Sequence, residues 1–181
     1  MTAYIPKIRH KGYVTKTARS HCGIYALDNI IRAYSGKNIS DPKTMHKTFF
    51  GKNFGWVFPW DMENILKEHG LDANWDSARK VGNKIEFLED AVMEGPVIIR
   101  IDLIDDGVNP LWGRLSGHWI VLWGYDSTKE RFYAYDSRKK EKDLPVGNCT
   151  FAYKELENIW RGSLMPFAFK YLYVKVRYPN A

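Results

Sequence analysis

The sequence predicts an α+β domain, with helices in the first half of the chain and an antiparallel sheet in the second. Two observations carry this expectation. Apolar residues recur at steps of three and four between Ile24 and Tyr34, and the segments after Gly95-Pro96 are rich in β-branched and aromatic residues. No internal repeat, linker or low-complexity stretch interrupts the chain, so residues 1–181 read as a single domain, long enough to bury a core without disulfides or metals.

The first helix opens at Ser20-His21-Cys22-Gly23 and places Ile24, Leu27, Ile31 and Tyr34 on one face. Ser20 is the expected cap and Gly36 the expected stop. A second helix is expected from Asp61 to His69, capped by Asp61 and ended by Gly70, with Met62, Ile65 and Leu66 facing inward. His69, near its C-terminus, reads as a partner of the helix dipole. A third runs from Lys84 to Met93 and stops at Gly95-Pro96. Strands are expected over Val97–Ile101, His118–Gly124, Arg131–Tyr135 and Phe167–Tyr178. Between Asp102 and Gly117 lies a polar loop containing Gly and Pro that leads into His118. The order is helical first and sheet-forming later, compatible with two lobes.

Composition narrows the function classes. No apolar run reaches the length of a membrane span, and Met1 to Lys16 contains no continuous apolar segment of the secretory type. A cytoplasmic location is therefore the default expectation, although a signal removed earlier would leave the same sequence. The net charge is +6, but the charges are scattered, and no helix-turn-helix, zinc-finger or RNP pattern accompanies them. Nucleic acid is not an expected partner. The two cysteines, Cys22 and Cys149, form neither a disulfide framework nor a zinc-like pair, and no His or Cys spacing points to a metal or cofactor. Cys149 reads as an ordinary reduced thiol.

Cys22 differs because it falls in the first turn of a helix, where free amides and the helix dipole favour a thiolate. Gly23 beside it would leave room for a substrate carbonyl. His118 opens a strand directly after Gly117, a placement that can present an imidazole at the sheet edge as a general base. Asp136 ends the next strand, and a hairpin would return it to the end of the sheet that carries His118, where it could orient the ring. Each residue has an ordinary use when taken alone: a small buried thiol, a surface histidine at a strand start, a turn-forming aspartate. Asp126 is a rival for the carboxylate, at the far end of the His118 strand. Trp56, Trp60 and Trp112 are candidate cleft walls, with core packing the commoner use of such residues.

Taken together, Ser-His-Cys-Gly-Ile-Tyr-Ala-Leu, Gly-His-Trp-Ile-Val-Leu-Trp-Gly-Tyr-Asp and Tyr-Ala-Tyr-Asp-Ser resemble papain-like cysteine peptidases. The nearest branch is the bacteriocin-leader-processing, double-glycine type. Tyr153 to Leu164 also resembles the closing helix and Trp-x-Gly segment of that branch. The resemblance implies a papain-like fold, Cys22 as nucleophile, His118 as base, Asp136 as orienter, and a peptide or protein substrate. It departs from the family at Lys16, where the family places a Gln whose amide helps hold the oxyanion; Lys16 is the candidate replacement. Two alternatives use the same residues: an acyl- or amide-transferring enzyme of the transglutaminase type, and a binding domain that has lost catalysis.

Overall fold

The computed structural model describes residues 3–6, 21–36, 41–102, 117–140, 142–162 and 170–177. Helix α1 (Cys22–Ser35) is buried along most of its length, with Ile24, Leu27, Ile30 and Ile31 withdrawn from solvent. His21, not Ser20, holds its N-cap position, in the left-handed conformation at φ 63° and without a side-chain capping bond. Ser20 lies outside the described residues. Gly36 ends the helix as expected, its amide returning to the Arg32 carbonyl.

The short helix α2 (Phe49–Phe54) has no counterpart in the sequence expectations, because six residues are too few to display a helical period. Thr48 caps it, the hydroxyl oxygen accepting from the Gly51 amide at 3.0 Å. Helix α3 (Pro59–Glu68) begins ahead of the expected Asp61 cap. Pro59, whose fixed φ suits a first helical turn, starts it, and Asp61 sits inside that turn, where its charge favours the dipole. The His69 ring closes the helix, with Nδ1 2.8 Å from the Ile65 carbonyl oxygen. Helix α4 (Lys84–Glu94) starts where expected, capped by Asn83, and helix α5 (Tyr153–Ile159) follows late in the chain.

Among the described residues there is one seven-stranded antiparallel sheet. Its strands are β1 (Ala3–Tyr4), β2 (Asp72–Ser77), β3 (Val97–Ile101), β4 (His118–Asp126), β5 (Arg131–Tyr135), β6 (Cys149–Ala152) and β7 (Leu172–Arg177). The order is β2-β7-β3-β4-β5-β6, with β1 pairing to the end of β4. Strand β2 was hidden in the sequence: as an exposed edge strand reading Asp-Ala-Asn-Trp-Asp-Ser it buries almost nothing and shows little apolar alternation. The expected strand over Phe167–Tyr178 is shorter than its composition implied, since Lys170 and Tyr171 form a turn ahead of Leu172. Residues 167–169 and Tyr178 lie outside the description.

The sheet is covered on both faces. Helices α1 and α3 pack with Ile98, Val121, Trp123 and Val174 on one side; α4 and α5 pack with Ile99, Ile120, Leu122 and Trp160 on the other. The sheet is thus a layer between helices rather than a lobe apart from them. That is why Val97-Ile98-Ile99 is an unbroken apolar run: every residue of β3 is buried, whichever face it points to. No helix of the described residues is long and apolar enough to cross a membrane.

Candidate active site

Cys22 is the first residue of α1, and its sulfur faces the start of β4. The Trp119 amide donates to Cys22 Sγ at 3.4 Å, so the strand that begins with His118 reaches the helix terminus directly. His118 is buried, and its side chain lies beside Cys22, close enough for each to shift the other's charge state. On the other side of the ring, Nε2 lies 2.6 Å from Asp136 Oδ1. The imidazole therefore stands between thiol and carboxylate, with Nε2 committed to Asp136 and Nδ1 left for the sulfur.

The sheet register explains how Asp136 arrives there. Tyr135 pairs with Val121, and a bulge between Leu122 and Gly124 adds a residue to β4, so β5 ends beside the first residues of β4. Asp136, one step beyond, is then fixed by Asn148, which is completely buried. The Asp136 amide donates to Asn148 Oδ1 at 2.9 Å, while Asn148 Nδ2 donates to the carbonyls of Asp136 at 2.9 Å and Lys139 at 3.0 Å. The Arg138 amide donates to Asp136 Oδ1 at 2.8 Å, holding the carboxylate itself. Preceding Asn148, Gly147 takes φ 74°, and a Cβ there would fall 2.1 Å from the Ala134 carbonyl oxygen. Sequence reasoning missed Asn148; the available signal was a Gly-Asn pair just before a short strand, a turn signature that conceals a buried amide. The rival Asp126 is a turn former, capping the short 3-10 turn Ser127–Lys129 through the Lys129 amide at 3.1 Å.

The charges of the three groups are mutually supporting. Burial opposes a Cys22 thiolate, but the His118 charge, with the Trp119 and Gly23 amides, brings the thiol below its ordinary value. Burial likewise opposes a charged His118, yet Cys22 and Asp136 together push it up to about 10. Asp136 is held below the usual carboxylate range against its own burial by His118, the Arg138 amide and Lys139. The arrangement favours the charged forms of both groups, thiolate and imidazolium, beyond what each would show in water. Cys149 is the opposite case. Burial and the Asp136 charge push it up to about 12, and its Sγ sits 3.5 Å from the Ala134 carbonyl oxygen as a packed, protonated thiol.

Gly23 does not serve the expected purpose. It is buried, and a Cβ at that position would lie 2.6 Å from Met62 Cε and 3.2 Å from Trp119 Cδ1; the missing side chain lets α1 approach α3 and β4. The adjacent His21 is tied to His46, with Nδ1 2.8 Å from His46 Nε2, one ring donating and the other accepting. Burial, with His21 and Lys43 nearby, pushes His46 down to about 4, which keeps that ring neutral and able to share a single proton. Trp56 and Trp60 are 58% and 39% exposed, so core packing is not their use. Lys16 and Trp112 lie outside the described residues. No group of three or more His, Cys, Asp or Glu suited to a metal occurs among the described residues.

The helices and antiparallel sheet form a mixed α+β fold shared with a solved peptidase. It is similar to the crystal structure of a double glycine motif protease from an AMS/PCAT transporter in complex with the leader peptide, with a TM-score of 0.60 and 14% sequence identity, over 97% of this chain and 94% of that one. No protein-family model and no curated protein matches the chain.

Proposed function

We propose that this chain is a papain-like cysteine peptidase that hydrolyses a peptide bond through an acyl-enzyme on Cys22. The observation that carries the reading is the buried His118 ring, hydrogen-bonded to Asp136 on one side and set beside the Cys22 thiol on the other. His118 takes the Cys22 proton, the thiolate attacks the scissile carbonyl carbon, and the tetrahedral oxyanion collapses as the protonated imidazole gives its proton to the leaving amine. Water, deprotonated by His118, then releases the acid product and restores the thiol. Asp136 keeps the ring oriented and stabilises its cationic form. The oxyanion donors in this scheme are the Cys22 amide at the helix start and the Lys16 side chain, six residues earlier in sequence.

The substrate is a peptide or protein segment, and the double-glycine branch is the one whose substrates come first. Incubating the full chain with a mixture of peptides, some containing Gly-Gly, and sequencing the products by mass spectrometry tests the proposal. Expected are discrete cuts with a burst of amine release and water as sole acyl acceptor, all lost in Cys22→Ala. Cuts that persist in Cys22→Ala would assign hydrolysis elsewhere. Amide transfer to an added amine without hydrolysis would make the chain a transferase, and a chain with neither activity would be a binding domain.

A further inference from the structure

Arg100 is a buried guanidinium that the reaction scheme above does not use. It is the fourth residue of β3, 6% exposed, and stands directly opposite Trp119 in the β3–β4 register. Residues paired in this way project to the same face of a sheet. For Arg100 that is the face toward α1, the one occupied by Trp119, whose ring touches Gly23 and whose amide reaches Cys22 Sγ. The guanidinium also packs against the residue that introduces His118. Gly117 sits at φ 59°, a conformation that favours glycine, and a Cβ there would fall 2.2 Å from Arg100 Cζ and 2.4 Å from its Nε, so a side chain would have to displace the guanidinium.

We propose that Arg100 is a positioning residue of the thiol site, whose permanent charge holds the Cys22 thiolate and whose guanidinium, lying against Gly117, fixes the approach of His118. The proposal rests on the reading of Cys22 as nucleophile. It gives each half of the ion pair its own counter-charge: Asp136 beside the imidazolium, Arg100 on the thiolate side of the sheet. The register places Arg100 opposite the residue whose amide reaches the sulfur, and its guanidinium lies at Gly117, on the same end of the sheet. Burial works against the Arg100 cation, and the negative charges of Asp102 first and Cys22 second work for it. A guanidinium is suited to this place because it keeps its proton where a buried ammonium readily loses one. Opposite charges in a poorly solvated site interact far more strongly than on a surface.

The test is the pH dependence of Cys22 alkylation by iodoacetamide, read by peptide mass mapping on the full chain, which needs no substrate. In the native protein the rate should be half-maximal well below the value of about 8.5 for an ordinary thiol. Arg100→Met should move that midpoint upward by about one unit, and Arg100→Lys, which keeps the charge, by less than about half a unit. A folded Arg100→Met whose midpoint rises by less than about half a unit overturns the proposal, as does an equal rise in the Met and Lys variants. Circular dichroism establishes folding, and Arg100→Gln replaces Arg100→Met if the latter does not fold. Should neither neutral variant fold, Arg100→Lys decides: a midpoint within about half a unit of the native one supports the proposal, and a larger rise overturns it. An ordinary midpoint in the native protein would instead sink the nucleophile assignment, and this inference with it.

Discussion

His118→Ala is expected to slow peptide hydrolysis by about a thousandfold, in kcat and kcat/KM alike, with folding retained. The ring stands between Cys22 and Asp136, and in the proposed scheme it serves twice, first accepting the thiol proton and then delivering it to the leaving group. Its loss therefore affects the transition state more than substrate binding. The pH profile offers a second readout. His118 is pushed up to about 10, so its proton is bound throughout the neutral range and leaves only as pH rises through that value. Cys22 is lowered, so its thiolate persists as pH falls until it too takes a proton. Activity should form a plateau between the two, with the alkaline limb near pH 10. The two midpoints belong to the coupled pair rather than to either residue. In His118→Ala the alkaline limb should disappear, and Cys22 alkylation should require higher pH than in the native protein, because the neighbouring cation has gone. Native-like turnover in a folded His118→Ala would remove the base from the scheme.

Trp123→Ala should cost about 3–5 kcal/mol of stability, a large part of what a domain of this size commands. Trp123 is 1% exposed and lies between β4 and α1. Its indole Nε1 donates to Asn29 Oδ1 at 2.8 Å, one buried group satisfying another across the helix–sheet interface. Removing it opens a cavity and takes a partner from a fully buried amide. Because this contact docks α1 against the strand that begins with His118, the damage should also reach the thiol site. Denaturant unfolding measures the first effect and the Cys22 alkylation rate in the still-folded variant the second. A change below about 1 kcal/mol would mean that the α1–β4 interface collapses around the gap or depends on other contacts.

The parts of the fold legible in the sequence are those in which one physical signal dominated. Helix α1 announced itself because a long buried helix must repeat its apolar residues, and β3 because burial on both faces leaves no room for polar alternation. The edge strand β2 and the short helix α2 carried no such signal. Helix starts were misassigned where the cap was unconventional: His21 occupies a cap position at positive φ, and Pro59 rather than Asp61 opens α3.

Within the candidate site, the spacing of Cys22, His118 and Asp136 was readable because each opens or closes an element, and element ends are detectable. Asn148 and Arg100 were not readable. Asn148 acts on the backbone of a turn, and Arg100 acts through a sheet register, and both arrangements depend on strand pairings that periodicity alone does not specify. Trp56 and Trp60 show the reverse error, since aromatic residues in a Gly- and Pro-rich segment look like core until exposure is known.

The proposed reaction requires Cys22 to be an activated nucleophile, whereas Cys149 is a packed thiol pushed up to about 12. The most direct measurement treats the folded chain with one equivalent of iodoacetamide at neutral pH, maps the modified cysteine by mass spectrometry, and follows peptide hydrolysis in the same sample. The label is expected on Cys22, with Cys149 unmodified and hydrolysis falling in proportion to labelling. Labelling of Cys149 at an equal or greater rate, or hydrolysis that survives complete modification of Cys22, would contradict that assignment.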